Sequence, residues 1–513
     1  MTQSTPWLTI LLLLPLLGAA AVALLPSGNS ELVKRTALVA SLIPLGLVAY
    51  LGTQFSKAED GGSTFQFSES HVWIRSFGVH YALGVDGVAL ALIAMSAILV
   101  PAAMLAGWND VEERGSGSVK EYFIWMLVLE TFIIGVFAAT DVFLFYVFFE
   151  AMLIPVYFLI GRFGGPNRVY AAVKFFLYSL LGGLVMLASL IGLYVLSSEQ
   201  LYEPSFALND LLRLGLAPGT EKWLFLGFFL AFAIKAPLVP VHTWLPDAAE
   251  QGTPATTTLL VGVLDKVGTF GMLHLCLPLF PNASKWFAPT VLVLGVIGIV
   301  YGAIVAVGQE DMRRLIAYTS VSHFGFIAIG IFVMTTLGQS GASFYMVSHG
   351  FSTAALLLIV GFLMSRRRSA RIADFGGVQK VAPVLAGLFL VAGLSALALP
   401  GMSSFVSEFM VLQGVFQRHW TYAAVATLGI VLAAVYVLTM VKRTVSGSAG
   451  EQVKGFSDLR GREVAAVAPL IALILVLGFF PQPVLKIIDP TSAWVMSKVQ
   501  AVDPKSTVAK AGQ

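Results

Sequence analysis

The chain has 513 residues, of which 57% are hydrophobic and only 12% charged, and its mean hydropathy is +0.85. Soluble proteins carry about 25% charged residues and disordered chains are poor in apolar and aromatic side chains, so neither class fits. A net charge of +3 is too small for an electrostatic nucleic-acid partner, and the single cysteine, Cys276, excludes a disulfide framework, a cysteine zinc site and an iron–sulfur cluster.

Runs of about 20 apolar residues are long enough to cross a bilayer as helices. Fourteen are expected, at about 7–25, 36–54, 82–107, 121–139, 142–160, 170–196, 222–239, 255–279, 286–307, 314–336, 341–364, 382–417, 420–441 and 463–480. The first has no Lys or Arg ahead of it and no small-residue cleavage site after it, so it reads as a retained helix rather than a signal peptide. No stretch between spans is long enough for a sizeable soluble domain. The expected fold class is therefore an all-α polytopic membrane protein.

Basic residues set the expected orientation. Loops after odd-numbered spans hold 18 of the 31 Lys and Arg residues, the opposite side holds 10, and Lys174, Lys235 and Lys266 fall inside spans. Odd loops are expected in the cytoplasm, with both termini on the other side of a bacterial cytoplasmic membrane.

A charge at mid-bilayer costs about 2.5–3.5 kcal/mol on insertion scales. The chain nevertheless carries Glu150 in the fifth span, Lys235 in the seventh, Asp265, Lys266 and His274 in the eighth, His323 in the tenth, His349 in the eleventh and Glu408 in the twelfth. A satisfied structural group would explain any one of them. Their recurrence across six spans points instead to a proton relay, because His, Lys and Glu can all exchange protons near neutrality once burial shifts them. Glu130, Asp141 and Asp86 read as structural or capping groups nearer span ends. Asp265 reads as a partner of Lys266, Lys174 as a lysine that reaches back to the interface or feeds the relay, and Cys276 as an inert buried thiol.

Two spans look broken. Pro237, Pro240 and Pro246 punctuate the end of the seventh, and Pro400-Gly401 interrupts the twelfth. Irregular backbone at membrane depth persists only where it is buried in protein or lines a wet cavity. Interrupted helices in corresponding places of two halves suggest inverted repeats. The expected organisation is helices 1–3 over residues 1–120, a five-helix repeat over 121–279, its inverted copy over 280–441, and a last helix and tail over 442–513.

Lys235-Ala236-Pro237 running into His242-Thr243-Trp244-Leu245-Pro246-Asp247-Ala248 and Pro254 resembles the signature of the proton-pumping membrane subunits of respiratory complex I. The stretch Asp311-Met312-Arg313-Arg314-Leu315-Ile316-Ala317-Tyr318-Thr319-Ser320-Val321-Ser322-His323 is similar to a second signature of that family, and the resemblance covers nearly the whole chain. It implies a functional set of Glu150, Lys235, Lys266, His323, His349 and Glu408, with Glu150 and Lys235 forming a buried ion pair. It also implies that NADH, flavin, iron–sulfur clusters and quinone belong to partner subunits, with no cofactor in this chain, and that homologous antiporter-like chains L and N are neighbours. Glu408 stands where chain L and antiporter relatives usually place lysine, and the chain ends soon after the fourteenth span without the lateral helix of chain L. One departure is His274, near which the family often has arginine. The alternatives are a subunit of a multisubunit sodium/proton antiporter or membrane-bound hydrogenase, and a non-pumping scaffold.

Overall fold

A computed structural model describes residues 5–55, 65–115, 117–450 and 453–504. Lys57, Lys505 and Lys510, which enter the charge count, lie outside them. Among the described residues, twelve helices are long and apolar enough to cross a membrane. They are α1 (Trp7–Leu24), α2 (Ser30–Gln54), α3 (Gly87–Ala106), α4 (Val119–Ala138), α5 (Val142–Phe163), α6 (Arg168–Gln200), α9 (Pro254–Leu279), α10 (Pro281–Val307), α11 (Met312–Phe332), α12 (Thr336–Arg367), α15 (Trp420–Val445) and α16 (Gly461–Phe479). The other two expected spans are the interrupted ones. Helix α7 (Pro218–Lys235) stops at its lysine and is followed by the short α8 (Trp244–Gln251), while α13 (Pro383–Ala396) is followed by α14 (Ser403–Arg418).

The helices start where their sequences supply caps. Side chains of Asp86, Asp141, Thr253, Asp311 and Thr335 accept hydrogen bonds from backbone N–H groups in the first turns of α3, α5, α9, α11 and α12. Pro218, Pro254, Pro281 and Pro383 sit at first-turn positions, where a missing N–H costs nothing. Pro246 is a correction of the same kind: it lies in the first turn of α8 and does not break the chain there. The interruption itself runs from Ala236 to Thr243, and Trp244 Nε1 donates to the Ile234 carbonyl at 2.8 Å, satisfying an acceptor that the break frees.

Burial divides the helices into layers. α9 and α12 are buried throughout their most apolar windows and α11 almost so, whereas α1, α2, α6, α10 and α15 turn more than half of theirs outward. The outward residues are apolar, including Leu17, Leu181, Ile297 and Val431, as a lipid-facing surface requires. The polar side chains are concentrated in the inner layer.

Two elements went unanticipated. Residues 66–85 form an antiparallel hairpin of β1 (Gln66–Ile74) and β2 (Val79–Val85), so α3 starts at Gly87 rather than at 82. Glu69 of β1 accepts from the N–H of Leu8 at 2.7 Å and of Thr9 at 3.2 Å, capping α1 from a distance. Asp141 accepts from the His80 N–H at 3.0 Å, tying the hairpin to α5. A final helix, α17 (Gln482–Val499), packs beneath the start of α3, where the Gly87 Cα lies so close to the Ile487 carbonyl that a Cβ would fall 1.7 Å from it.

Candidate functional site

Glu150 lies near the middle of α5, and α6 makes room for it with Gly183, where a Cβ would fall 1.7 Å from Glu150 Oε1. Lys235 is the last residue of α7, is 1% exposed, and points its ammonium at the rings of Phe149 (4.9 Å to the centroid) and Phe175 (5.7 Å). Neither Lys235 Nζ nor Glu150 Oε1 has a hydrogen-bond partner. The expected direct ion pair is therefore absent: no Glu150–Lys235 contact within 4.0 Å occurs, although each charge is within electrostatic reach of the other. The Lys235 ammonium is instead met by the Phe149 and Phe175 rings.

Lys266 solves burial differently. It is fully buried, and its three protons go to the Val261 carbonyl at 2.6 Å, Asp265 Oδ1 at 2.9 Å and His349 Nδ1 at 2.7 Å. The carbonyl is reachable because residues Leu260–Leu264 are π-helical, which widens the turn below the lysine. Helix α9 abuts the first break just beyond this point, since a Cβ on Gly268 would fall 2.5 Å from the Phe232 carbonyl and 2.6 Å from the Ala236 nitrogen. Lys235 and Lys266 thus flank one helix contact.

Because Nδ1 of His349 receives a lysine proton, neutral His349 carries its own on Nε2, and that nitrogen has no protein partner. The His323 ring stands 5.2 Å away and nearly perpendicular, at 87°. His323 Nδ1 is also unpartnered, while its ring lies near the backbone at Ala396, the last residue before the second break. Beyond the break, Glu408 is 4% exposed and lies within electrostatic reach of the Tyr345 and Tyr436 hydroxyls. Ser348 and Ser407 share a hydrogen bond of 2.9 Å beside it. The predicted residues Lys266, His349 and His323 are in one cluster, Glu408 flanks it, and Glu150 with Lys235 forms a separate station on its other side. Buried polar atoms without protein partners are the places where ordered water belongs, and here they lie on both sides of the fully partnered Lys266.

Several neighbours were not singled out beforehand. Phe149, Phe175 and Phe324, the last 5.3 Å from Lys266 Nζ, read in sequence as ordinary core. Lys174 does not stand free: it pairs with Asp247 at 2.6 Å, and Arg314 pairs with the same Asp247 at 2.8 Å and with Glu250 at 2.7 Å. His274 contacts Asp86 at 2.6 Å, so Asp86 both caps α3 and holds this histidine. Glu130 is a correction: it lies mid-way along α4, fully buried, with neither oxygen hydrogen-bonded. Among the described residues no group of three or more His, Cys, Asp or Glu side chains could hold a metal ion.

Residues 139–433 match the family described as NADH:quinone oxidoreductase/Mrp antiporter, transmembrane region. The chain is 49% identical to NADH-quinone oxidoreductase subunit M of Mycobacterium tuberculosis strain H37Rv over 99% of its own length and 97% of the relative's. It is 40% identical to the subunit of the same name from Rhodobacter capsulatus, covering 96% and 97% of the two chains. Among solved structures it is similar to a chain of respiratory complex I from Thermus thermophilus, with a TM-score of 0.86, 31% identity, and 96% and 99% of the two chains covered. A chain of the Mrp complex from Dietzia sp. shares the fold, with a TM-score of 0.81 at 20% identity over 98% and 99% of the chains.

Proposed function

This chain belongs to the NADH:quinone oxidoreductase/Mrp antiporter family, and from that premise we propose that it works as a proton-translocating membrane subunit of an NADH:quinone oxidoreductase, of the chain M type. Hydride and electron chemistry belongs to partner subunits carrying flavin, iron–sulfur clusters and quinone. This chain transduces that chemistry into proton movement.

The observation that carries the reading is the continuous contact from Lys266 through His349 to His323 and the second break. A proton leaving the Lys266 ammonium has His349 Nδ1, at 2.7 Å, as the neutral titratable group that can take it up. Uptake there makes the ring cationic and releases the Nε2 proton toward His323 through an intervening water. His323 hands on to Glu408, which lies within electrostatic reach of the Tyr345 and Tyr436 hydroxyls. Lys235 is the upstream carrier: held by aromatic faces rather than hydrogen bonds, its ammonium is free to swing between Glu150 and the Lys266 side. Two charges about 6 Å apart at an effective dielectric near 20 interact by roughly 3 kcal/mol. Moving a proton against roughly 180 mV costs about 4 kcal/mol, so one pair falls short and several coupled stations are needed.

The parallel between the halves supports residues 121–279 and 280–441 as inverted repeats. Asp141 starts α5 and bridges to Ala207 after α6, just as Asp311 starts α11 and bridges to Arg371 after α12. The basic-residue asymmetry supports an orientation with the Lys174–Asp247–Arg314 end in the cytoplasm of a bacterial inner membrane and both termini opposite. Homologous antiporter-like subunits, L and N, pack on the two flanks in a linear array.

Substitution of His349 by Gln in the intact complex tests the reading. NADH oxidation by a hydrophilic acceptor is expected to persist while quinone-linked proton uptake into liposomes falls steeply. An assembled His349→Gln complex with the wild-type proton-to-electron ratio overturns the route.

A further inference from the structure

We propose that the outward groove between α6, α7 and α10 is a binding site for one anionic phospholipid. The groove has a volume of about 690 Å³ and is walled by apolar side chains, including Ala188, Leu226, Leu230 and Leu294. That volume lies within the ~300–1,000 Å³ of small-molecule sites. Its position on the lipid-facing layer leaves an acyl chain as the occupant that matches both shape and surroundings.

One end of the groove is built differently from the rest. Two Lys-Trp pairs, Lys222-Trp223 on α7 and Lys285-Trp286 on α10, stand side by side there. They are held in place by Glu221, which is 1% exposed and accepts from the N–H groups of Asn282 at 2.7 Å and Ala283 at 3.0 Å. That clamp fixes the start of α10 against the start of α7. It also sets the Lys222 ammonium 4.0 Å above the Trp286 ring. Trp223 is 76% exposed and Trp286 59%, the placement of aromatic residues at a membrane–water interface. The buried carboxylate is taken up by Asn282 and Ala283, and neither lysine is ion-paired with it, Lys285 being exposed and Lys222 half-buried against Trp286. An apolar trough ending in two ammonium groups and two indole rings at headgroup depth is complementary to an acyl chain capped by a phosphodiester. Near a membrane surface each lysine is worth on the order of fivefold in preference for an anionic over a zwitterionic lipid, about 25-fold together.

The test uses the intact complex in lipid nanodiscs with a photoactivatable phosphatidylglycerol and mass-spectrometric mapping of the labelled peptides. Labelling of the 223–230 and 287–294 segments is expected, competed roughly 25-fold better by phosphatidylglycerol than by phosphatidylcholine. Lys222→Gln with Lys285→Gln is expected to abolish that preference while labelling persists. Ala188→Trp, which fills the trough, is expected to abolish labelling there without changing proton pumping. Equal competition by both lipids in the wild type, labelling indifferent to Ala188→Trp, or cross-linking of this face to a partner subunit's helix overturns the proposal. None of these outcomes depends on the proton route through Lys266.

Discussion

Lys235 and Lys266 are two buried ammonium groups on either side of one helix contact, and they are accommodated in opposite ways. Lys266 is saturated, with a carbonyl, a carboxylate and an imidazole taking its three protons. Lys235 has no hydrogen bond at all and rests against two phenyl rings. A saturated group is a fixed hub whose loss disrupts its surroundings, whereas a group held by ring faces is positioned loosely and can move. The difference separates what is fixed in the proposed proton route from what is mobile.

Breaking the hub has the largest expected effect. Lys266→Met leaves the Asp265 carboxylate buried without a partner, at a cost of about 3–5 kcal/mol, so the yield of assembled complex on native gels and its proton pumping both fall. Adding Asp265→Asn removes the orphaned charge and is expected to restore assembly but not pumping. Restored pumping in the double variant would show that the lysine's charge is dispensable.

Glu408 comes next. Glu408→Gln keeps size and hydrogen bonding but cannot titrate, so assembly is expected to be normal and pumping lost. Glu408→Lys restores a proton-bearing group and is expected to regain partial pumping. A wild-type proton-to-electron ratio in Glu408→Gln makes the residue structural.

Glu150→Ala sharpens the comparison directly. Because Glu150 is coupled to Lys235 without a direct contact, the complex is expected to lose less stability than the roughly 3 kcal/mol of a pair about 6 Å apart, yet quinone-linked pumping is expected to fall because the mobile lysine loses its counter-charge. A stability loss as large as that of Lys266→Met would mean that the two sites are not different in kind. The smallest expected effect belongs to Phe149→Leu, which removes one cation–π contact worth ~0.5–2 kcal/mol. It is expected to slow pumping severalfold, read as initial rate in liposomes, with assembly intact.

The spans were legible because a bilayer demands long apolar runs, and the two that depart from regular helix carried prolines and Pro400-Gly401 as their signals. The hairpin was not legible: β1 mixes Glu69, Ser70 and His71 with apolar residues, and no Asn-Gly or Asp-Gly turn marks residues 75–78. At the site, residue types were legible and contacts were not. The bond from Lys266 to His349 spans 83 positions and depends on a π-helical turn that no short motif announces. Likewise, nothing in the sequence distinguishes the phenylalanines at 149 and 175, which face a lysine, from those that face other apolar groups.

The distant cap on α1 has a consequence for biogenesis. The first helix leaves the ribosome with its leading amides unbonded, and the carboxylate that takes them, Glu69, is made only after the second helix is complete. The fastener that then joins the hairpin to the chain, Asp141, comes later still. The amino-terminal pair of helices is therefore complete in sequence before the carboxylates that cap its first helix and tie down the hairpin, so this set of bonds forms only once the chain has been made through residue 141.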